Sequence, residues 1–343
     1  MKAEPLRAGA AGGLRSDFFA AAGPDLAQSD IAFDVPLAGL GRWRIGGIAD
    51  LVATPSTREA LAACLRAVRD TGVPALVIGD GTNLLFDDAG FRGVVIRIGR
   101  RLGGVEIAPE GLVTAGAGQW VPTLVRRTID AGLSGIVHAI GIPGTLGGLV
   151  AMNGGSQRHG IGEHVVHIDA MDRDGQIHRL QASDLGFAYR RSALQENGLV
   201  MVSATLRLEP GERAALRREA IDILVARRAK FPKNRANCGS VFVSDPSLYE
   251  RIGPPGMAIE RVGLKGRRCG GAEISPEHAN FIVNVGCARS ADVLSLIHLA
   301  RDSVREAFGI AMDVEVRHVG PTGRLLPAHL VPPPERQSTA CGE

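Results

Sequence analysis

The sequence predicts an α+β protein organised around two glycine-rich loops, and three observations carry that prediction. The first is Gly79-Asp80-Gly81-Thr82-Asn83-Leu84-Leu85, which follows the apolar run Ala75-Leu76-Val77-Ile78 and so sits at the end of a strand. The second is Gly141-Ile142-Pro143-Gly144-Thr145-Leu146-Gly147-Gly148, a similar loop about sixty residues later. The third is the alternation of strand-like apolar runs with helical spacing, punctuated at Pro210-Gly211 before a long charged stretch. Glycine has no Cβ and reaches positive φ, so such loops can turn successive backbone N–H groups toward an anion. Two of them point to a cofactor with two phosphates, held from both sides.

Order is expected from Ile31, with residues 1–30 as a mobile N-terminal arm that lacks a continuous apolar signal core. Ser56 and Glu59 have capping-box spacing ahead of Leu61, Leu65 and Val68 at helical intervals, and Gly72 and Pro74 close that helix. Strands follow at Ala75–Ile78 and Val94–Ile98, completing a first unit at 31–105. The second unit, 106–210, starts with a strand at Leu112–Ala115. A helix from about Pro122 to Ala131 comes next, and the second glycine loop runs on through Asn153. Val165–Met171 and Gln176–Leu180 flank Asp172-Arg173-Asp174-Gly175 as a hairpin, and Val200–Leu208 is the last strand. A third unit, 211–320, opens with a charged helix, roughly Glu212 to Ala229. It continues with Gly239-Ser240-Val241-Phe242, a helix near Met257–Val262 and a strand at Asn280–Val285. A helix capped by Ser290 carries Val293, Ile297, Ala300 and Val304 on one face, and a strand closes the unit at Val314–Val319. Residues 321–343, with Pro332-Pro333-Pro334, are expected as a disordered tail.

Composition narrows the classes of function. With 343 residues, 45% hydrophobic and 22% charged, the chain has ordinary globular proportions, and its length suits two or three subdomains. A net charge of +3 with no basic block argues against nucleic acid as a partner. No run of 18 apolar residues is present. Cys64, Cys238, Cys269, Cys287 and Cys341 form no CxxC pair and no metal spacing, so free thiols in a reducing compartment are expected. A Rossmann fingerprint fails, because Gly79-Asp80-Gly81 leads into Thr-Asn-Leu and extended chain instead of a helix.

A series of segments in fixed order resembles the UDP-N-acetylenolpyruvoylglucosamine reductases. It runs from Arg44-Ile45-Gly46-Gly47-Ile48-Ala49-Asp50 through both glycine loops to Asn153. It continues with Tyr189-Arg190-Arg191-Ser192, Gly239-Ser240-Val241-Phe242, Gly263-Leu264-Lys265-Gly266, His278-Ala279-Asn280-Phe281-Ile282-Val283-Asn284 and Glu315-Val316-Arg317. The resemblance implies a two-subdomain FAD-binding module of the vanillyl-alcohol-oxidase type followed by a C-terminal α/β substrate domain. It also implies an enzyme in which NADPH reduces non-covalent FAD, which passes hydride to an enolpyruvyl ether. Ser240 then matches the proton donor, and Arg190 and Glu315 the pair acting on the developing enolate. FAD is expected at Gly79, Asp80, Gly81, Thr82, Asn83 and Leu84, and at Gly141, Ile142, Pro143, Gly144, Gly147, Gly148 and Asn153. Substrate contacts are expected from Tyr189, Lys230, Lys265, His278 and Arg317, although His278 reads equally well as a structural histidine. The resemblance implies a cytoplasmic enzyme of cell-wall precursor synthesis, a monomer or weak oligomer, with no membrane or metal partner.

Arg190 and Ser240 lie 50 residues apart, as in the family's shorter class. Two segments depart from its pattern, Val243-Ser244 and Gly154-Gly155-Ser156-Gln157. They keep open a flavin reductase acting on another enolpyruvyl nucleotide. A non-catalytic nucleotide-binding module is the alternative from another class.

Overall fold

Seven consecutive buried positions, Val200 to Leu206, identify the central strand of a five-stranded sheet. The order is Ile177–Gln181, Val165–Met171, Val200–Arg207, Leu112–Gly116 and Val105–Ile107, with every neighbouring pair antiparallel. The expected hairpin is present. Asp172 Oδ1 accepts the amides of Asp174 and Gln176 at 2.8 and 2.9 Å, so the side chain itself closes the turn.

The computed structural model describes residues 10–233, 235–244 and 246–332. Residues 1–9 of the expected arm and 333–343 of the expected tail, with Pro333, Pro334 and Cys341, lie outside the described residues. The chain divides into two compact units. The first contains the chain up to Asp34, Asp50–Asp80 and Gly93–Val225; the second contains Val35–Ala49, Gly81–Arg92 and the chain from Ala226 onward. This differs from the expected division into consecutive segments, because short stretches around both ends of the first strand pairings join the C-terminal unit.

In the first unit helix α1 (Ala10–Ala22) packs against α2 (Arg58–Thr71). Residues 10–30 are therefore not a free arm. Phe18 is fully buried and Leu26 is 2% exposed, both within the same apolar core as Leu61, Leu65 and Val94. The arm's Ala and Gly composition hid those two anchors. Gly72 ends α2 in the left-handed conformation, as expected. Its N-cap is Thr57, not Ser56: the Thr57 side chain accepts the Ala60 amide at 3.1 Å, while the Ser56 hydroxyl donates to Asp30 at 2.7 Å. A four-stranded sheet sets Ile31–Pro36, Ile48–Ala53, Phe91–Arg97 and Ala75–Ile78 side by side, the last two parallel. Helices α3 (Val121–Asp130) and α4 (Leu146–Ala151) follow, α4 opening directly from the second glycine loop. Helix α5 (Arg213–Lys230) begins where expected, with the Glu212 carboxylate accepting the amides of Ala214 and Ala215.

The second unit has its own core of Trp43, Phe242, Ile259, Ile282, Ile297 and Val316. Helices α6 (Pro246–Arg251), α7 (Pro255–Arg261) and α8 (Ser290–Phe308) accompany two three-stranded sheets. One joins Arg268–Cys269, Ala272–Ile274 and Ile282–Asn284; the other joins Leu325–Pro327, Arg317–Val319 and Leu84–Phe86. The expected tail therefore supplies a strand. Val293, Ile297, Ala300 and Val304 all face the core, as their spacing requires. Ser290 is the first residue of α8 instead of its cap; its hydroxyl donates to Asp88 at 2.9 Å, and Arg289 holds the cap position.

Phe18→Ala is expected to lower the free energy of unfolding by about 3 kcal/mol through transfer and cavity terms. Urea denaturation measures it, and an unchanged midpoint would mean that α1 is not part of the core.

Candidate active site

The first unit brings Gly79 of the first glycine loop against Thr145 of the second. A Cβ built on Gly79 would stand 2.2 Å from Thr145 Oγ1, so only glycine allows that approach. Thr145 is fixed at the N-cap of α4, where its hydroxyl accepts the Gly148 amide at 3.4 Å. Around this point the amides of Gly79, Asp80, Gly141, Gly144 and Thr145 have no protein acceptor among the described residues. Unpaired N–H groups on glycine-rich chain fit the oxygen-rich diphosphate of a dinucleotide. Other expected cofactor residues serve the fold. Gly147 donates to the Ala117 carbonyl at 2.8 Å, Ile142 donates to Ala139, and Pro143 has no N–H. The Asp80 carboxylate pairs with Arg97 at 3.4 Å.

Asn153 lies just beyond α4 with φ +39°. Its Nδ2 donates to the Ala188 carbonyl and its Oδ1 accepts the Gly162 amide, both at 2.9 Å. It thereby ties the glycine loop's helix to the segment carrying Tyr189 and Arg190. Arg190 is half-buried at φ +57°, its guanidinium 5.2 Å from the Tyr189 ring centroid and 3.5 Å from the Gly155 carbonyl it donates to. Gln195 grips this segment through Nε2, which donates to the carbonyls of Arg190 at 3.0 Å and Ala151 at 2.8 Å. Ser192 donates to the same Ala151 carbonyl at 2.7 Å. Gln195 was not expected from sequence; its partners are fixed only by folding.

In the second unit Glu315 lies opposite Val241, the residue after Ser240, in a short antiparallel pairing. Phe242 bridges Val314, the Glu315 amide donates to Val241 at 2.9 Å, and Val243 donates to Asp313 at 2.9 Å. Asn280, buried at 4% exposure, locks this pairing from the other edge. Its Oδ1 accepts the Phe242 amide at 2.8 Å and its Nδ2 donates to the Phe242 carbonyl at 3.1 Å. Asn83 does the equivalent for Glu315: Nδ2 donates to the Glu315 carbonyl at 2.9 Å, and the Asn83 carbonyl accepts the Arg317 amide. Gly81, Thr82 and Leu84 of the first loop also belong to this unit. Glu315 and Arg317 are half-buried, and Val316 between them is buried. The Glu315 charge reaches Cys238, whose thiol is pushed well above its ordinary value by burial and then by that carboxylate.

A separate cluster in this unit gathers Lys230, Lys265 and His278. Burial, then the charges of Lys230 and Lys265, hold the His278 imidazole below its ordinary pKa, against an opposing pull from Glu260. Lys265 pairs with Glu260 at 3.1 Å. His278 meets the rings of Phe231 and Phe281 at steep angles, those two rings being themselves in contact, and its Nδ1 accepts the Asn280 amide at 3.2 Å. That nitrogen is thus committed to the fold.

Comparison with known proteins bears on both units. The C-terminal domain model of UDP-N-acetylenolpyruvoylglucosamine reductase matches residues 231–319, and an FAD binding domain model matches residues 49–181. UDP-N-acetylenolpyruvoylglucosamine reductase 1 of Corynebacterium glutamicum is 46% identical over 88% of this chain and 89% of its own length. The chain belongs to the UDP-N-acetylenolpyruvoylglucosamine reductase family. A reductase of Heliobacterium modesticaldum is 41% identical over 84% of this chain and 90% of its own. The solved reductase from Thermus caldophilus superposes with a TM-score of 0.69 at 34% identity, covering 83% of this chain and 97% of that one. The family membership makes this a flavin-dependent oxidoreductase with the expected α+β FAD-binding fold. No helix among the described residues is long and apolar enough to cross a membrane.

Asn280→Ala is expected to cost about 2–4 kcal/mol, because it leaves both Phe242 backbone groups buried and unpaired. Hydrogen exchange at the Phe242 amide should accelerate more than the global stability loss accounts for; equal acceleration across the unit would contradict a local clamp.

Proposed function

We propose that this chain is an NADPH-dependent reductase of UDP-N-acetylglucosamine enolpyruvate, acting in the cytoplasm in peptidoglycan precursor synthesis. The match of residues 231–319, which contain Ser240, Lys265, Glu315 and Arg317, to the C-terminal domain of this reductase family is the observation that carries the proposal. FAD, when bound, supplies hydride transfer from the nicotinamide to the terminal carbon of the enolpyruvyl group. Gly79, Asp80, Gly141, Gly144 and Thr145 would hold it through their unpaired amides.

The protein's own groups have two tasks. Negative charge develops on the substrate carbon next to the carboxylate, and a positive group fixed in advance stabilises it most. Arg190 is suited to that, since its backbone is clamped by Gln195 and its side chain rests on Tyr189. The carbanion then needs one proton. Ser240 would deliver it from its hydroxyl, and such a weak acid suffices only against a strongly basic carbon. Glu315 would orient or re-protonate the serine without adding its charge to the reacting carbon. Lys230 and Lys265 would meet the substrate's diphosphate, and Arg317 its carboxylate.

Anaerobic stopped-flow absorbance tests the two halves separately. NADPH should bleach the oxidised-flavin band, and the enolpyruvyl nucleotide should restore it. In Ser240→Ala the bleaching should persist while recovery slows by about 10²-fold or more. Recovery at the wild-type rate would remove Ser240 from the chemistry. Bleaching without recovery in the wild type would favour a different enolpyruvyl acceptor.

A further inference from the structure

A buried carboxylate in the second unit holds two arginines, one more than its charge requires. Glu273 is 4% exposed and lies on the middle strand, Ala272–Ile274, of its three-stranded sheet. Arg268, its cross-strand neighbour, reaches Glu273 Oε2 from Nε at 3.1 Å and from Nη2 at 3.0 Å. Arg235 donates to the same oxygen from Nη1 at 3.1 Å, and it comes from outside those strands, 38 residues away in sequence. A second ion pair whose arginine reaches solvent adds little stability. It does fix the start of the segment that carries Ser240.

The tether continues along the backbone. The Arg235 carbonyl accepts Asn237 Nδ2 at 2.8 Å, and the Ala236 carbonyl accepts the Asn284 amide at 2.9 Å. Asn237 Oδ1 then accepts the Gly239 amide at 3.0 Å, reaching past Cys238. On the far side of the serine, the Val241 amide donates to the Asn280 carbonyl at 2.9 Å. Ser240 itself belongs to no helix or strand, and Gly239 before it stands at φ +91°. The serine is therefore suspended between two fixed points, Gly239 and Val241. A hydroxyl that delivers a proton must be held within hydrogen-bond reach of its acceptor, and a misplacement of about 1 Å can cost about 10²-fold in rate. We propose that Asn237 is a positioning residue for Ser240 and that the Arg235–Glu273 pair anchors it. This rests on the role proposed for Ser240 above and gives that residue a support that begins inside the sheet.

Anaerobic stopped-flow absorbance on the FAD-loaded enzyme separates positioning of the serine from general support of the fold. In Asn237→Ala, NADPH should bleach the flavin at the wild-type rate. Recovery on adding saturating enolpyruvyl nucleotide should slow by about tenfold. Arg235→Ala leaves Arg268 on Glu273 and should slow recovery in the same direction by about threefold. Placed in Ser240→Ala, Asn237→Ala should slow recovery no further, because the hydroxyl it positions is gone. Recovery at the wild-type rate in Asn237→Ala would overturn the inference. Equal slowing of bleaching and recovery would overturn it too, as would a further loss of about tenfold in the double variant. If Asn237→Ala does not fold, Arg235→Ala decides through the same cycle with Ser240→Ala. Wild-type recovery in Ser240→Ala alone removes the role of Ser240 and this inference with it. A wild-type enzyme that bleaches without recovering overturns the functional reading and this inference together, and that control alone identifies the case.

Discussion

Backbone that leaves regular secondary structure and stays buried must still pair its N–H and C=O groups, and both functional regions depend on how that is done. Neither is built from continuous helix or strand. Side-chain amides take the place of the missing ladder: Asn153 and Gln195 in the first unit, Asn83 and Asn280 in the second. Each presents a donor and an acceptor on a short stem, which suits it to clasp a peptide group that no neighbouring strand reaches. The segments carrying Arg190, Ser240 and Glu315 are held in place by these clasps.

That arrangement explains which parts were legible beforehand. Periodic elements were: the inward face of α8, the hairpin at Asp172–Gly175 and the strand ending at the first glycine loop all follow from local pattern. The glycine loops were legible as well, because the need for missing Cβ atoms is written in residue type. What stayed hidden involves partners distant in sequence. Asn83 was expected at the cofactor, yet its side chain serves the Glu315 carbonyl, 232 residues away. Asn153 was likewise expected at the cofactor and is spent on Ala188 and Gly162. The burial of Phe18 depends on α2, and no local signal in an Ala-rich and Gly-rich stretch announces it. Ser56 and Thr57 compete for one cap, and Asp30 decides between them by taking the Ser56 hydroxyl.

Electrostatics separates the clusters by function. In the second unit, charges of opposite sign are distributed over two places: the carboxylate of Glu315 beside Cys238, and the ammonium groups of Lys230 and Lys265 around His278. The imidazole between those lysines is kept neutral by burial and by their charge, so it adds no positive charge of its own. It packs at steep angles against Phe231 and Phe281. The aromatic pair also receives the Arg227 guanidinium, 4.8 Å from the Phe231 ring centroid, so this part of α5 is packed through cation–π contact.

Arg190 shows why the clasps matter energetically. A non-glycine residue at φ +57° sits in the left-handed region, at a cost of about 1–2 kcal/mol relative to ordinary backbone. Such a conformation persists only where the surroundings over-determine it. Here they do: Ala188 and Arg191 exchange both backbone hydrogen bonds, the Ala188 carbonyl is held by Asn153, and the Arg190 carbonyl is held by Gln195. The strain fixes where the side chain leaves the backbone, and the Tyr189 ring and Gly155 carbonyl then limit where the guanidinium can go. A positive group aimed at developing charge is most effective when it needs no rearrangement as that charge appears. With Arg190 in the role proposed for it, the cost of the twisted backbone is borne in the resting protein, where the fold can offset it, and not at the moment of reaction.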